Sequence, residues 1–331
     1  MRYCVTGATG FLGGEVVRQL VAAGHEVVAV VRSPEKARAL ADLGVVIAQG
    51  DVTEKESLRE PMTGADGVFH IAGWYKTGAR DKSPGMAVNV QGTRNTLEMM
   101  RELGIPKGVY TSTLAINSDT HGKIVDETYR YAGPFISEYE RTKWLAHVQV
   151  AEPMIAQGLP LVIVMPGPIY GPGDTSGFGQ MWRDYLRGRL PILPGGYAAS
   201  WGHVEDIAQA HLLAMAKGTV GQSYIVAGST HTLAEVMTLA QAITGVRAPR
   251  QISPRVVRAF ASIIGLIERA VPVPPNYSAE TLRAMAGTTF AGTSAKAQRE
   301  WGYAPRTLED GLTATLHNEL RLLGKQVSEH G

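Results

Sequence analysis

The sequence predicts an α/β fold, a doubly wound parallel sheet with a smaller C-terminal lobe, and three observations carry that prediction. Strand-like and helical segments alternate from the first residues, the strands are short and almost unbroken in Val and Ile, and a glycine-rich turn joins the first strand to the first helix. Strands covered on both faces read as continuous apolar runs, and repeated strand, helix, strand units close through right-handed crossovers.

The strand-like runs are Arg2 to Thr6, His25 to Val31, Val45 to Asp51, Gly67 to Ala72, Gly108 to Thr113 and Leu161 to Met165. Between them apolar residues recur at helical spacing, as in Leu12, Val16 and Leu20, then Val88, Leu97 and Met100. After residue 166 the pattern changes to Gly and Pro clusters, Pro166 to Gly173 and Pro191 to Gly196, followed by helices with few clear strands. Residues 1–166 are therefore expected to form the first domain and 167–331 mainly a substrate-binding lobe. About 200–228, with its strand-like run Ser223 to Ala227, is expected to return to the first domain.

A chain of 331 residues, 44% hydrophobic, is long enough to bury an enzyme-sized core. Lys and Arg total 32 against 30 Asp and Glu, so the whole-chain charge shows no footprint for nucleic acid or an anionic membrane, and a small molecule is the expected partner. The only cysteine, Cys4, excludes an internal disulfide and offers no cluster for a metal, which points to a reducing cytoplasm. Met1 to Thr6 run straight into a strand, leaving no room for a signal peptide. The stretch Val256 to Val271 is interrupted by Arg258, Glu268 and Arg269 and falls short of the roughly 20 apolar residues of a membrane span. It is expected to be an amphipathic helix over the ligand pocket, without membrane insertion.

The turn Thr6-Gly7-Ala8-Thr9-Gly10-Phe11-Leu12-Gly13 stands where glycines let a dinucleotide pyrophosphate approach the backbone and a helix N-terminus. In a chain with 38 glycines the triplet alone is weak, and its position after a first strand makes it informative. NAD-binding proteins place an acid at the end of the second strand to bond the ribose 2′-hydroxyl, whereas this chain has Arg32 and Ser33. A guanidinium suits a 2′-phosphate, and Ser33 as N-cap with Pro34 as first helical residue, followed by Lys36, would aim a second helix N-terminus at that anion. NADP is thus favoured, with NAD the alternative. Asp51, followed by Val52, suits either the adenine edge or a turn, and Ala72 and Gly73 end the fourth strand, where small residues would let a cofactor lie across the sheet.

Tyr139-Glu140-Arg141-Thr142-Lys143 opens a helical run, placing Tyr139 and Lys143 on one face a turn apart. An ammonium beside a phenol stabilises phenolate, lowering a pKa of about 10 toward a useful range for proton transfer. With 12 tyrosines in the chain the spacing alone would often arise by chance. Placement strengthens it, because the pair follows a fifth strand ending in Thr111-Ser112-Thr113, and ligands of doubly wound sheets bind at such strand ends. A hydroxyl there can hold a substrate oxygen while tyrosine delivers the proton.

These residues, with Asn89-Val90-Gln91-Gly92-Thr93, Pro166 and Ile169 to Asp174, His203 to Asp206, and Ser294 to Tyr303, resemble the extended short-chain dehydrogenase/reductase superfamily, the NAD-dependent epimerase/dehydratase type, over nearly the whole chain. The likeness is nearest to dihydroflavonol-4-reductase-like proteins and the related hopanoid-associated group. It implies a Rossmann domain, Tyr139 as catalytic acid/base, and Lys143 also on the nicotinamide ribose. It further implies Thr113 in the position of the catalytic serine or threonine, with Ser112 the neighbouring candidate, and Pro166, Gly167 and Ile169 lining the nicotinamide. His203 and Asp206 are read as a satisfied core histidine and a helix cap, and Asn89 as a structural residue.

Sugar-nucleotide enzymes of the superfamily carry a diphosphate-binding arginine four residues before the histidine of the His203 motif, where this chain has Ala199. Trp74, Tyr75, Tyr170, Trp182, Tyr185, Tyr197 and Trp201 are the pocket candidates, so an apolar or aromatic carbonyl is the expected substrate. The expected activity is an NADP-dependent reductase, with a sugar epimerase/dehydratase and a nicotinamide-sensing binding protein as alternatives. A homodimer is compatible with the sequence.

Overall fold

The computed structural model describes residues 1–325; the last six residues of the lobe expected over 167–331 lie outside the described residues. Seven parallel strands form the central sheet: β1 (Arg2–Thr6), β2 (Glu26–Val31), β3 (Val46–Gln49), β4 (Gly67–His70), β5 (Gly108–Thr111), β6 (Leu161–Pro166) and β7 (Ser223–Val226). Their order is β7-β6-β5-β4-β1-β2-β3, so the winding reverses between β1 and β4. Side chains of β4, β5 and β6 are buried throughout, as their unbroken apolarity requires.

Helices cover both faces. On one, Val16, Val17 and Leu20 of α1 (Phe11–Ala22) pack with Ile207 and Ala208 of a long helix at Val204–Lys217. On the other, Leu97, Met99 and Met100 of a helix at Thr93–Glu102 meet Ala146 and Val150 beyond α2 (Glu138–Trp144). A third core, holding Tyr170, Trp182, Tyr185, Trp201 and Phe290, lies in the C-terminal part of the chain under strands only two or three residues long. β7 joins the main sheet beside β6 after the chain has passed through that region.

Three local expectations are corrected. α3 (Pro254–Ile267) is amphipathic, but only Val257 and Ala261 are buried, and its large apolar residues face outward; it packs by its small-residue side on α4 (Ala279–Met285). His203, not Asp206, caps the helix at Val204, its Nδ1 accepting the N–H of Glu205 at 3.4 Å, and its buried Nε2 has no partner, so it is not a satisfied histidine. Asp206 sits in the first turn and accepts from both the backbone and the guanidinium of Arg306 at 2.9 to 3.0 Å. No described helix is long and apolar enough to cross a membrane.

Candidate active site

The glycine turn follows β1 directly at the sheet's switch point, the crevice where doubly wound sheets hold ligands. Gly7 has φ +76°, and a Cβ on it would lie 2.6 Å from the backbone nitrogen of Ala72. A Cβ on Gly13 would lie 2.1 Å from the carbonyl oxygen of Gly7. Those two glycines are demanded by packing between the turn, α1 and β4. Gly10 is different: it is exposed, its hypothetical Cβ meets only the Gly7 carbonyl, and it caps α1 with no side chain over the first-turn amides of Phe11, Leu12 and Gly13. A bare, side-chain-free helix N-terminus beside an exposed Thr9 fits a pyrophosphate.

At the end of β2, Arg32 is exposed and makes no ion pair among the described residues. Ser33 precedes Pro34 as expected, but its hydroxyl caps nothing, and the helix it opens is a single 3-10 turn, too short to present a helix dipole to an anion. Lys36 is exposed on that turn. Asp51 is engaged as a turn residue, Oδ1 accepting from the backbone and hydroxyl of Thr53 at 2.9 Å, while Val52 is packed in the core with its carbonyl bound by Asn95. Ala72 is half-buried and Gly73 exposed beyond β4. Asn89 spans the next loop, bonding both the N–H and the carbonyl of Trp74 and the hydroxyl of Thr142 on α2.

The hydroxyls of Thr111, at the end of β5, and Ser112, just beyond it, point to opposite faces of the sheet, as the twofold alternation of an extended chain requires. Ser112 is held by His147 Nδ1 at 2.7 Å, and Thr111 by His211 Nε2 at 2.8 Å. The Thr113 hydroxyl accepts the N–H of Ala115 at 3.1 Å, capping the turn after β5, and lies close enough to the Tyr139 phenol to act on its pKa. α2 is capped by Ser137, whose Oγ accepts the N–H of Glu140 at 3.2 Å, and Tyr139 and Lys143 then follow one turn apart.

Burial raises the Tyr139 pKa above its ordinary value of 10, the Thr113 hydroxyl opposing that rise only in part. The expected lowering by Lys143 is therefore reversed in the protein alone. The Lys143 Nζ is drawn instead to the carbonyl of Thr111 at 2.7 Å and the phenol of Tyr110 at 3.3 Å, 4.8 Å over the Tyr110 ring. Burial also pushes the Lys143 pKa down to about 7, so near neutrality much of its charge is absent.

Beneath this lysine runs a polar chain that sequence reasoning missed. Tyr110 stacks on His70, ring centroids 5.5 Å apart, and His70 is held between the hydroxyls of Thr6 at 2.8 Å and Thr93 at 3.0 Å. Burial drives the His70 pKa down to about 3 and that of His211 to about 4, so both are neutral. Glu140 is also buried, accepting from Ser118 Oγ at 2.8 Å and the N–H of Ile136 at 3.1 Å. Lone histidines and a glutamate among many carry no spacing signal; only the fold gathers them.

The aromatic candidates divide. Tyr75 is exposed and adds to the rise in the Tyr139 pKa, Tyr197 is buried in the third core against Trp201 and Phe290, and Trp74 packs against Gly85. Tyr170, Trp182, Tyr185 and Trp201 are spent in the third core, the Tyr185 hydroxyl on the carbonyl of Val246 at 2.6 Å and the Trp201 indole N–H on that of His231 at 3.2 Å. Pro166 and Gly167 are buried at the end of β6 and Ile169 is half-buried beyond them. A cavity of about 450 Å³ opens on the flank of α2, between Phe135, Ser137, Glu138, Lys82, Glu280 and Arg283. Neither Tyr139 nor Lys143 lines it, so the acid-base pair sits beside this cavity and not within it.

A model of the NAD dependent epimerase/dehydratase family matches residues 3–227. The chain belongs to this family. Its members are NAD(P)-dependent enzymes of the extended short-chain dehydrogenase/reductase type, and the chain is one of them. It is 30% identical, over 95% of its own length and 93% of the relative's, to a dihydroflavonol 4-reductase-like protein of Synechocystis. It is 33% identical, over 95% of each chain, to the 4-hydroxy-2-methyl-3-oxo-4-farnesyl-3,4-dihydroquinoline-1-oxide ketoreductase of Stigmatella aurantiaca. The crystal structure of gox2253 superposes with a TM-score of 0.84 at 31% identity, covering 98% of this chain and 99% of that one. The Rossmann-like sheet with flanking helices is the fold of this family.

Proposed function

We propose that the chain is an NADP-dependent reductase that transfers hydride to the carbonyl carbon of a small apolar or aromatic ketone or aldehyde, with Tyr139 as proton donor. The observation that carries this reading is the Tyr139 phenol beside the Thr113 hydroxyl at the C-terminal end of β5, near the switch point that the glycine turn borders. Bound NADP supplies the hydride.

Thr113 orients the carbonyl oxygen and shares the negative charge that develops on it, while Ser112 is committed to His147. Tyr139, held protonated by burial, gives up its proton only as that charge grows. Lys143, which rests on the Thr111 carbonyl in the cofactor-free protein, would hold the ribose hydroxyls, and Arg32, exposed and without an ion pair among the described residues, would hold the 2′-phosphate. Ala199 is fully buried, so no guanidinium waits there for a sugar diphosphate, and the farnesyl-bearing ketone in the Stigmatella relative's name supports an apolar carbonyl. A reducing cytoplasm suits the buried, single Cys4, whose thiol burial pushes up to about 12.

The test compares NADPH and NADH consumption against a panel of apolar ketones and aldehydes, with Tyr139→Phe as control. Tyr139→Phe should bind NADPH normally and lose turnover by about 10²-fold or more. Retained turnover would overturn the mechanism, equal use of NADH would overturn the cofactor preference, and cofactor retained through purification with no net oxidation would favour an epimerase.

A further inference from the structure

α3 presents an apolar face with nothing of the described chain upon it. Val256, Phe260, Ile263, Leu266 and Ile267 are all exposed, Phe260 by 59% and Leu266 by 64%, and Val271 continues the strip past the helix end. At 100° per residue these side chains of α3 fall within an arc of roughly 120°, opposite the buried Val257 and Ala261 and the Gly265 that meets Ala279 of α4. Isolated exposed apolar residues are ordinary; a contiguous strip of this kind on one helix is not.

The charge of the segment that carries the strip decides what fits it. Between Arg247 and Arg283 the chain has six arginines and two glutamates, a surplus of four positive charges in a protein whose whole net charge is +2. Neither glutamate answers the arginines: Glu268 accepts the N–H of Ala279 at 3.0 Å, and Glu280 pairs with Lys82 at 2.6 Å. Among the described residues none of the six arginines is paired with a carboxylate. Arg255 borders the apolar arc directly, with Arg258 beyond it on the same flank.

We infer that α3 is a docking surface for an anionic lipid bilayer, lying flat with its apolar strip in the interface and its arginines at the headgroups. An amphipathic helix of this composition enters the interface by about 5–10 Å, driven by apolar burial and attraction to anionic lipid together. A second copy of the chain is the poorer occupant, because a twofold contact would bring two uncompensated arginine clusters together. α4, on which α3 rests, contributes Glu280 and Arg283 to the cavity beside α2, so docking sets that cavity near the membrane plane. This goes beyond the proposed reaction and does not depend on it.

The experiment is co-sedimentation of the full chain with vesicles of phosphatidylcholine alone and of phosphatidylcholine mixed with phosphatidylglycerol. The chain should pellet with the phosphatidylglycerol vesicles, less with phosphatidylcholine, and less as salt rises. Phe260→Ser with Leu266→Ser should weaken binding about tenfold or more while leaving the thermal melt and NADPH binding unchanged. Absence of binding to the anionic vesicles, or binding indifferent to the double substitution, overturns the proposal. A concentration-dependent dimer that the same substitutions dissociate also overturns it and assigns the face to a second copy.

Discussion

The carboxylate of Glu280 accepts the backbone N–H of Glu138 at 2.8 Å, so a side chain from α4 caps the helix that carries Tyr139 across 142 positions of sequence. The first N–H groups of a helix have no partner within it, and here Glu280 takes one while Ser137 takes another.

Glu280→Ala should therefore destabilise the fold by about 1–2 kcal/mol, mostly through the exposed helix end, and lower turnover. Glu280→Gln, which keeps an acceptor, should lose less. Lys82→Ala should cost under about 1 kcal/mol because that ammonium is half exposed. Thermal melts of the three variants check the order.

Thr113→Val and Ser112→Ala should separate two adjacent hydroxyls. The first should lower kcat by about 10- to 100-fold and cost about 1 kcal/mol through the lost cap on Ala115, and the second should cost about 1 kcal/mol by stranding His147 while leaving kcat near normal. Steady-state kinetics beside melts on both variants reads this out, and equal losses of kcat would count against the assignment.

Lys143 binds fewer protons folded than unfolded between pH 7 and its unfolded value near 10.4, so its burial penalises the cofactor-free fold below that window and relents as pH rises through it. Lys143→Met should raise the Tm of the cofactor-free protein by about 2–4 °C or more at neutral pH, with the gain shrinking toward pH 10. The same variant should bind the cofactor poorly.

His70 and His211 have folded pKa values of about 3 and 4, below the unfolded value of about 6.5, so the unfolded chain takes up protons first as pH falls. Their contribution to stability is present above pH 6.5 and should be lost as acidification proceeds toward pH 3, each histidine adding up to about 1.4 kcal/mol per pH unit. Urea denaturation across this range should show a shallower acid slope for His211→Gln than for the parent.

The sheet was legible because all its strands but the edge strand β3 are buried on both faces, and Val27 to Val31 or Leu161 to Met165 leave little else for the chain to do. The glycine turn was legible for a similar reason: contact of backbone with backbone tolerates no side chain at Gly7 or Gly13. What failed to show was direction. Ser112 and Thr113 look alike in sequence and part ways only through strand alternation, and the periodicity of α3 marks two faces without saying which meets the protein. Glu280, Lys82 and His70 act across long separations with no spacing to betray them. The near-zero total charge, for its part, averaged away the arginines gathered around α3.

The return of the chain to the main sheet at β7 limits how such a protein can be taken apart. A polypeptide ended after Pro166 would lack β7, leaving the ladder edge of β6 without its partner at Ile163 to Pro166 and the apolar side chains of that edge without the cover of Tyr224 to Val226. Such a fragment should aggregate instead of serving as a free cofactor-binding module. New specificity in this architecture is thus reached by point substitution and loop change inside one continuous chain, and grafting a foreign lobe at a single junction would break the very sheet it was meant to borrow.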